Sequence, residues 1–362
     1  MVDKAPVTRP VRGKLLSLEM GRGAAALAVM LFHLEDTSWT SFGVHPFADA
    51  FGWGDSGVAY FFVLSGFLMP LVHQRDFGVP GKSTRFLLRR AVRILPMLWT
   101  VLCGLALAHV MLPTILRTTF SPRGFVADVL LLPYPGDRLL NAIWTLKKEA
   151  LFYAVFALAI FRPRWGIPTL MVWQLCSLLN AVFLLVPGFY GLFFFDAYNI
   201  GFGTGMLAAL AYQHLPHNAW ISRVCAVFGA AAFIGVAAWE WTLGHMLPPT
   251  AENPIGVELE PALQVVAAAT MLYGLLDLER AGHLRLPKWA TVAGALSYAL
   301  YLLHEPLISL AAKVAERLHL SVEAFYVGTS LFVVSAVAVI HYGYERPLQK
   351  FLTRLERRFV RE

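Results

Sequence analysis

Leu18-Glu19-Met20-Gly21-Arg22-Gly23-Ala24-Ala25-Ala26-Leu27-Ala28-Val29-Met30-Leu31-Phe32-His33 decides how this chain is read. The run is apolar enough to enter a bilayer, yet it carries Glu19, Arg22 and His33. Arg22 and His33 stand close to three helical turns apart, so they share one face of a helix at a separation of about 16 Å along its axis. That is roughly half of a hydrocarbon core of about 30 Å. Glu19 precedes Arg22 by one turn, within pairing reach on a helix surface. A charge at membrane depth costs about 2.5–3.5 kcal/mol on insertion scales, so such residues mark function by default.

Composition extends the reading to the whole chain. Of its 362 residues 57% are hydrophobic and 15% charged, and the mean hydropathy is +0.60. A soluble domain carries about 25% charged residues; this chain reads as an integral membrane protein. The net charge of +7 does not point to nucleic acid, because the basic residues cluster between apolar runs, as membrane topology demands. Cys103, Cys176 and Cys225 all fall within apolar runs and show neither a disulfide framework nor metal spacing. The N-terminus is basic, but no small-residue cleavage site follows a clean apolar stretch, so the first span reads as retained.

Ten stretches have bilayer-spanning length, near 15–34, 57–74, 95–113, 144–161, 165–186, 193–213, 222–243, 261–279, 290–315 and 325–345. The expected fold is therefore all-α, a polytopic membrane helix bundle of about ten transmembrane helices. Residues 1–14 read as a cytoplasmic segment, 15–345 as the membrane domain and 346–362 as a basic cytoplasmic tail. With the N-terminus inside, the inner segments hold most of the basic residues, above all Arg75 to Arg93 and Arg346 to Arg361. The outer segments hold only Arg117, Arg123, Arg138, Lys313 and Arg317. This positive-inside bias places both termini in the cytoplasm, Arg22 in the inner half of the membrane and His33 near the outer face.

Further polar residues recur at helical spacing. Ser65 and Gly66, in Tyr60-Phe61-Phe62-Val63-Leu64-Ser65-Gly66-Phe67, read first as small residues that let another helix approach, since no base stands beside Ser65 in the sequence. Pro96 suits the opening turn of the third span. Just before it, Arg89, Arg90 and Arg93 form a basic face at the cytoplasmic surface, suited to phosphate oxygens or to anionic lipid. Trp144 opens the fourth span, in which Thr145, Glu149 and Tyr153 form one stripe. Ser297, Tyr301 and His304 share a face of the ninth span, with Pro306 beyond. Two histidines, two glutamates and an arginine in one bundle point to chemistry.

These residues resemble the acyltransferase-3 family of integral membrane O-acyltransferases, over nearly the whole chain. The resemblance rests on Arg22 followed by His33, on Phe61-Phe62 with Ser65-Gly66-Phe67, and on Arg90 and Arg93 before Ile94 and Pro96. It rests equally on Trp144 to Glu149 before Phe152-Tyr153, on Ser297 to Pro306, and on Glu345 with Pro347. Glu19 stands where the family usually has aspartate, and Gly21 where leucine is common. The resemblance implies transfer of an acyl group, usually acetyl from acetyl-CoA, to a hydroxyl, most often of an exported or surface glycan such as exopolysaccharide or lipopolysaccharide. The donor is a substrate; no permanently bound cofactor and no metal is expected.

The residues fit that chemistry. Arg90 and Arg93 would dock the polyanionic end of a cytoplasmic acyl-CoA. Arg22 would polarise the thioester or orient its arm. His33 would act as general base on an alcohol, and Glu149 would orient His33 or hold the acceptor. Glu19, Ser65, Trp144, Tyr153, Tyr301 and His304 are expected to bind substrate or support the site. Expected partners are acyl-CoA, a glycan or other hydroxyl acceptor, membrane lipids and polysaccharide-assembly proteins, in a multi-pass protein of the bacterial inner membrane. The alternative is a proton-coupled transporter or exporter with an ion path through Glu19, Arg22, Glu149 and His304; a third reading is a structural or signalling membrane protein.

Overall fold

The first helix, α1 (Leu16–Phe42), runs through the deciding stretch and well past its predicted end near residue 34. Leu16 and Ser17 would leave their N–H groups bare at its start. The Glu279 carboxylate accepts from both, at 2.6 and 2.9 Å, and so caps the helix from another element. At the far end Gly43, at φ 70°, donates its N–H to the Trp39 carbonyl and closes the last turn. The polar residues 35–41 therefore stay helical instead of forming a loop.

The computed structural model describes residues 14–111, 121–239 and 255–359. The basic N-terminal segment, Arg117, Arg361, the far ends of the third and seventh predicted spans and most of the connection 244–260, expected on the outer side, lie outside the described residues. After α1 come α2 (Gly57–His73), α3 (Lys82–Met111), the short α4 (Pro122–Val129), α5 (Ile143–Phe161) and α6 (Pro163–Phe183). Then follow α7 (Phe189–Phe194), α8 (Ile200–His214), α9 (Ala219–Trp239), α10 (Ile255–Arg280), α11 (Ala290–Leu318), α12 (Val322–Ile340) and α13 (Arg346–Phe359). Every regular element among the described residues is helical, so the chain is an all-α membrane bundle.

Among the described residues seven helical segments are long and apolar enough to cross a bilayer by themselves. The segments α1, α5 and α8 are not among them. Glu19, Arg22, His33, Glu35 and Asp36 dilute α1. Lys147, Lys148 and Glu149 do the same in α5, and α8 has only 15 residues. All three nevertheless pack into the bundle: α1 along α11, α5 along α6 and α3, and α8 along α2. Small residues make the approach close. A Cβ on Gly66 would strike the backbone of Phe202, and one on Gly294 would strike Glu19. Gly66 thus has the packing role read from the sequence.

One expectation about α3 is corrected. Pro96 does not open this helix; it lies in its interior, fourteen residues after Lys82. The amphipathic stretch before the proline is itself helical and continues into the apolar stretch. Without an N–H on Pro96, the Val92 carbonyl loses its helical donor. The start of α3 is fixed by Asp76, which binds His73 at 2.8 Å and Lys82 at 3.0 Å. Partial burial would raise the Asp76 carboxyl, but the hydrogen bonds from His73 and Lys82 outweigh it and hold it below the ordinary carboxylate range. The stabilisation is thus present at neutral pH and lost as Asp76 protonates in acid.

Candidate active site

The basic run before Pro96 splits between two faces of α3. Arg85 and Arg89 turn to Glu356 of α13, at 3.5 and 3.3 Å. Arg90, half-buried, turns into the bundle, and Arg93, though exposed, reaches the cavities beside it. The Arg90 guanidinium lies over the Tyr153 ring at 5.2 Å and near the Phe86 ring at 5.8 Å, a contact favourable to a cation.

Three cavities follow one another along this interior. The first, about 410 Å³, is rich in cations: Lys14, Arg22, Arg89, Arg93 and Arg346 line it, with Glu19 and Glu345. Arg22 pairs with Glu19 at 3.8 Å, as the one-turn spacing predicts. Glu345 is buried in a π-helical turn, His341–Glu345, and holds His341 at 2.7 Å and the Gln349 amide at 2.9 Å. Arg22, Arg93 and Tyr298 also line the second cavity, about 100 Å³ and mostly apolar. Its polar groups are Arg90, Ser65, Thr145, Glu149, Tyr153, Ser297 and Tyr301. The predicted stripe Thr145, Glu149, Tyr153 therefore does face one space.

Glu149 stands six residues into α5, about 9 Å along the axis from its start. Its Oε1 accepts from the Ser65 hydroxyl at 2.8 Å and from the Tyr153 hydroxyl at 2.5 Å. Its place is with Ser65 and the arginines, and among the described contacts it makes none to His33. The expectation that Glu149 would orient His33 rested on the start of its span lying near the outer face; Glu149 itself stands that distance further along the helix. The depth at which α5 is packed, through Ser65 and Arg90, was not legible.

His33 lines the third cavity, about 590 Å³, with Asp36, Thr37, Asp137, Arg138, Asn141, Glu305 and Lys313. It shares no lining residue with the second cavity. Between them stand Tyr301 and His304, both buried. Tyr301 meets Thr145 at 2.8 Å, and its ring lies 5.9 Å from that of His304. The His304 ring is in turn 5.0 Å from His33. His304 Nδ1 is 3.0 Å from the Leu300 carbonyl. A carbonyl only accepts, so Nδ1 carries the proton and Nε2 offers a lone pair. Nε2 has no hydrogen-bond partner among the described residues. Trp144 lines none of these spaces; its indole packs on Phe62 and Tyr198 under the Lys148 ammonium, a supporting role.

Sequence reasoning passed over the anchors of α5. Buried Lys147 binds buried Asp128 of α4 at 2.8 Å, and Lys148 binds Asp196 at 2.5 Å. Two lysines in an apolar helix called for partners; the partners, scattered over two connections, had no local signal. Asp128→Ala should lower stability by about 3–5 kcal/mol, since it leaves a buried ammonium unpaired. Joint replacement with Lys147→Met should recover much of that loss. Thermal unfolding in detergent checks both, and an unchanged midpoint for Asp128→Ala would mean that the pair does not hold α5. At the far end of α1, buried Glu35 accepts from the Asp49 N–H at 3.2 Å and lies 3.4 Å from His45, clipping the following loop to the helix.

The acyltransferase-3 family model, an acyltransferase domain, matches residues 15–342. The chain belongs to this family. It is a multi-pass membrane acyltransferase, and the transporter reading falls away. A curated relative, the exopolysaccharide production protein ExoZ of Rhizobium meliloti (strain 1021), is 26% identical over 328 residues, 88% of this chain and 94% of the relative. No solved structure matches the chain at a significant level.

Proposed function

We propose that the chain is an O-acetyltransferase of the bacterial inner membrane, moving acetyl from cytoplasmic acetyl-CoA to a hydroxyl of an exported glycan. One observation carries the donor side. Arg22, Arg93 and Tyr298 line both the cation-rich cavity and the small apolar one. The nucleotide and phosphates of the donor would bind among the arginines, whose planar forks suit phosphate oxygens. The thioester arm would then enter past Arg22 toward Ser65 and Glu149, where a cavity of about 100 Å³ suits a short acyl group. The inner side of the membrane fits this end because the basic segments flank it.

The acceptor would occupy the His33 cavity. Its carboxylates, hydroxyls, amide and cations are the polar set that a carbohydrate asks for, and the exopolysaccharide role in the relative's name supports a glycan of that class. His33 is the base for the acceptor hydroxyl. His304 supports it, Arg22 stabilises charge on the thioester oxygen, and polysaccharide-assembly proteins would supply the glycan. Purified protein given acetyl-CoA and glycan from the same cells should release CoA thiol and leave O-acetyl groups on the glycan. Glycan that gains no acetyl from active, folded protein would refute this reading.

A further inference from the structure

The sequence offered no base for Ser65; the fold supplies one. Ser65 of α2 and Glu149 of α5 meet at 2.8 Å, and both line the small apolar cavity together with Arg22. A hydroxyl hydrogen-bonded to a carboxylate, itself fixed by a second donor, is the arrangement of an activated nucleophile. That second donor is Tyr153, on the same oxygen of Glu149. We propose that Ser65 is a covalent carrier of the acyl group, with Glu149 as its base. This rests on the acyl-CoA reading above and adds a step to it.

In the first half, Ser65 Oγ bonds to the thioester carbonyl carbon and the carbon–sulfur bond breaks. The hydroxyl proton passes to Glu149, and CoA leaves as a thiolate that is protonated by water. Arg22 faces the same space as the developing oxyanion. In the second half, the acceptor hydroxyl gives its proton to His33 and its oxygen bonds to the acyl carbon. The bond to Ser65 Oγ breaks, and Glu149 returns the proton to that oxygen. A carrier lets CoA leave before the acceptor hydroxyl reaches Ser65, so donor and acceptor never have to occupy the small cavity together. From the His33 cavity the acceptor hydroxyl reaches Ser65 past the buried Tyr301 and His304 rings, which stand between that cavity and the small one. An ester held among apolar side chains is also shielded from water.

The test uses the full chain in detergent with radiolabelled acetyl-CoA and no acceptor. Wild-type protein should take up close to one acetyl per chain, labile to hydroxylamine and confined to the peptide that holds Ser65. Ser65→Ala should bind CoA as wild type does and take up no label, while Ser65→Cys should be labelled as a thioester. Glu149→Gln should acquire label about 10²–10⁴-fold more slowly, the range for a general base. Adding glycan should chase the label from the wild-type chain. A wild-type chain that stays unlabelled yet releases thiol when glycan is added transfers directly, and the carrier is refuted. Label persisting in Ser65→Ala refutes it too. Absence of thiol release even with glycan overturns the acyl-CoA reading itself, and the carrier with it.

Discussion

Folded His33→Ala, with saturating acetyl-CoA and glycan, is expected to transfer acyl groups about 10²–10⁴-fold more slowly than wild type, the usual worth of a general base. An alcohol is a weak nucleophile at neutral pH, and a neutral imidazole is the group suited to take its proton. His33 lines the large polar cavity, and the buried His304 ring lies behind it. CoA binding should be unchanged, because His33 borders neither donor-side cavity. The wild-type rate should also fall in acid, as the imidazole takes up the proton it must be free to accept. His33→Gln keeps hydrogen bonding but not basicity, and should be as slow as the alanine variant. Near wild-type turnover by His33→Ala would end the assignment and pass the role to His304.

Joint replacement of Arg90→Glu and Arg93→Glu is expected to abolish binding of acyl-CoA. Arg93 belongs to both donor-side cavities, and Arg90 is held over Tyr153 at the wall of the inner one. Reversal puts one carboxylate where phosphates would sit and another at the wall of the cavity that would take the thioester arm. Lysine at both positions should keep part of the affinity, since the charge remains but the bidentate fork is lost. Arg85→Ala is the control. Arg85 lines none of the three cavities and pairs with Glu356, so its loss should loosen α13 without touching the donor. Equilibrium binding of CoA to detergent-folded protein decides between these outcomes. Unchanged affinity in the doubly reversed protein would leave Arg90 and Arg93 as determinants of topology alone.

The sequence by itself determined the class of this protein. Apolar runs of bilayer length, interrupted by a few charges, specify an all-α membrane bundle because a backbone in lipid must satisfy its own hydrogen bonds. Helical spacing was also enough for contacts within one helix. Glu19 meets Arg22, and Thr145, Glu149 and Tyr153 face one cavity, because the 3.6-residue period fixes such neighbours before any packing occurs. The ordered motifs were enough to name the family.

The tertiary structure decided everything that depends on how deep each helix sits and how it is turned. It put Glu149 beside Ser65 and away from His33, and it sent Arg85 and Arg89 to Glu356 of α13 while Arg90 and Arg93 came to line the small cavity. It carried α3 back through Pro96 to Lys82, and it gave Lys147 and Lys148 their partners from connections with no pattern of their own. Periodicity assigns a residue to a face of its helix. The neighbour across that face depends on the depth and rotation of a second helix, which close contacts such as Gly66 against Phe202 set through the whole packed bundle.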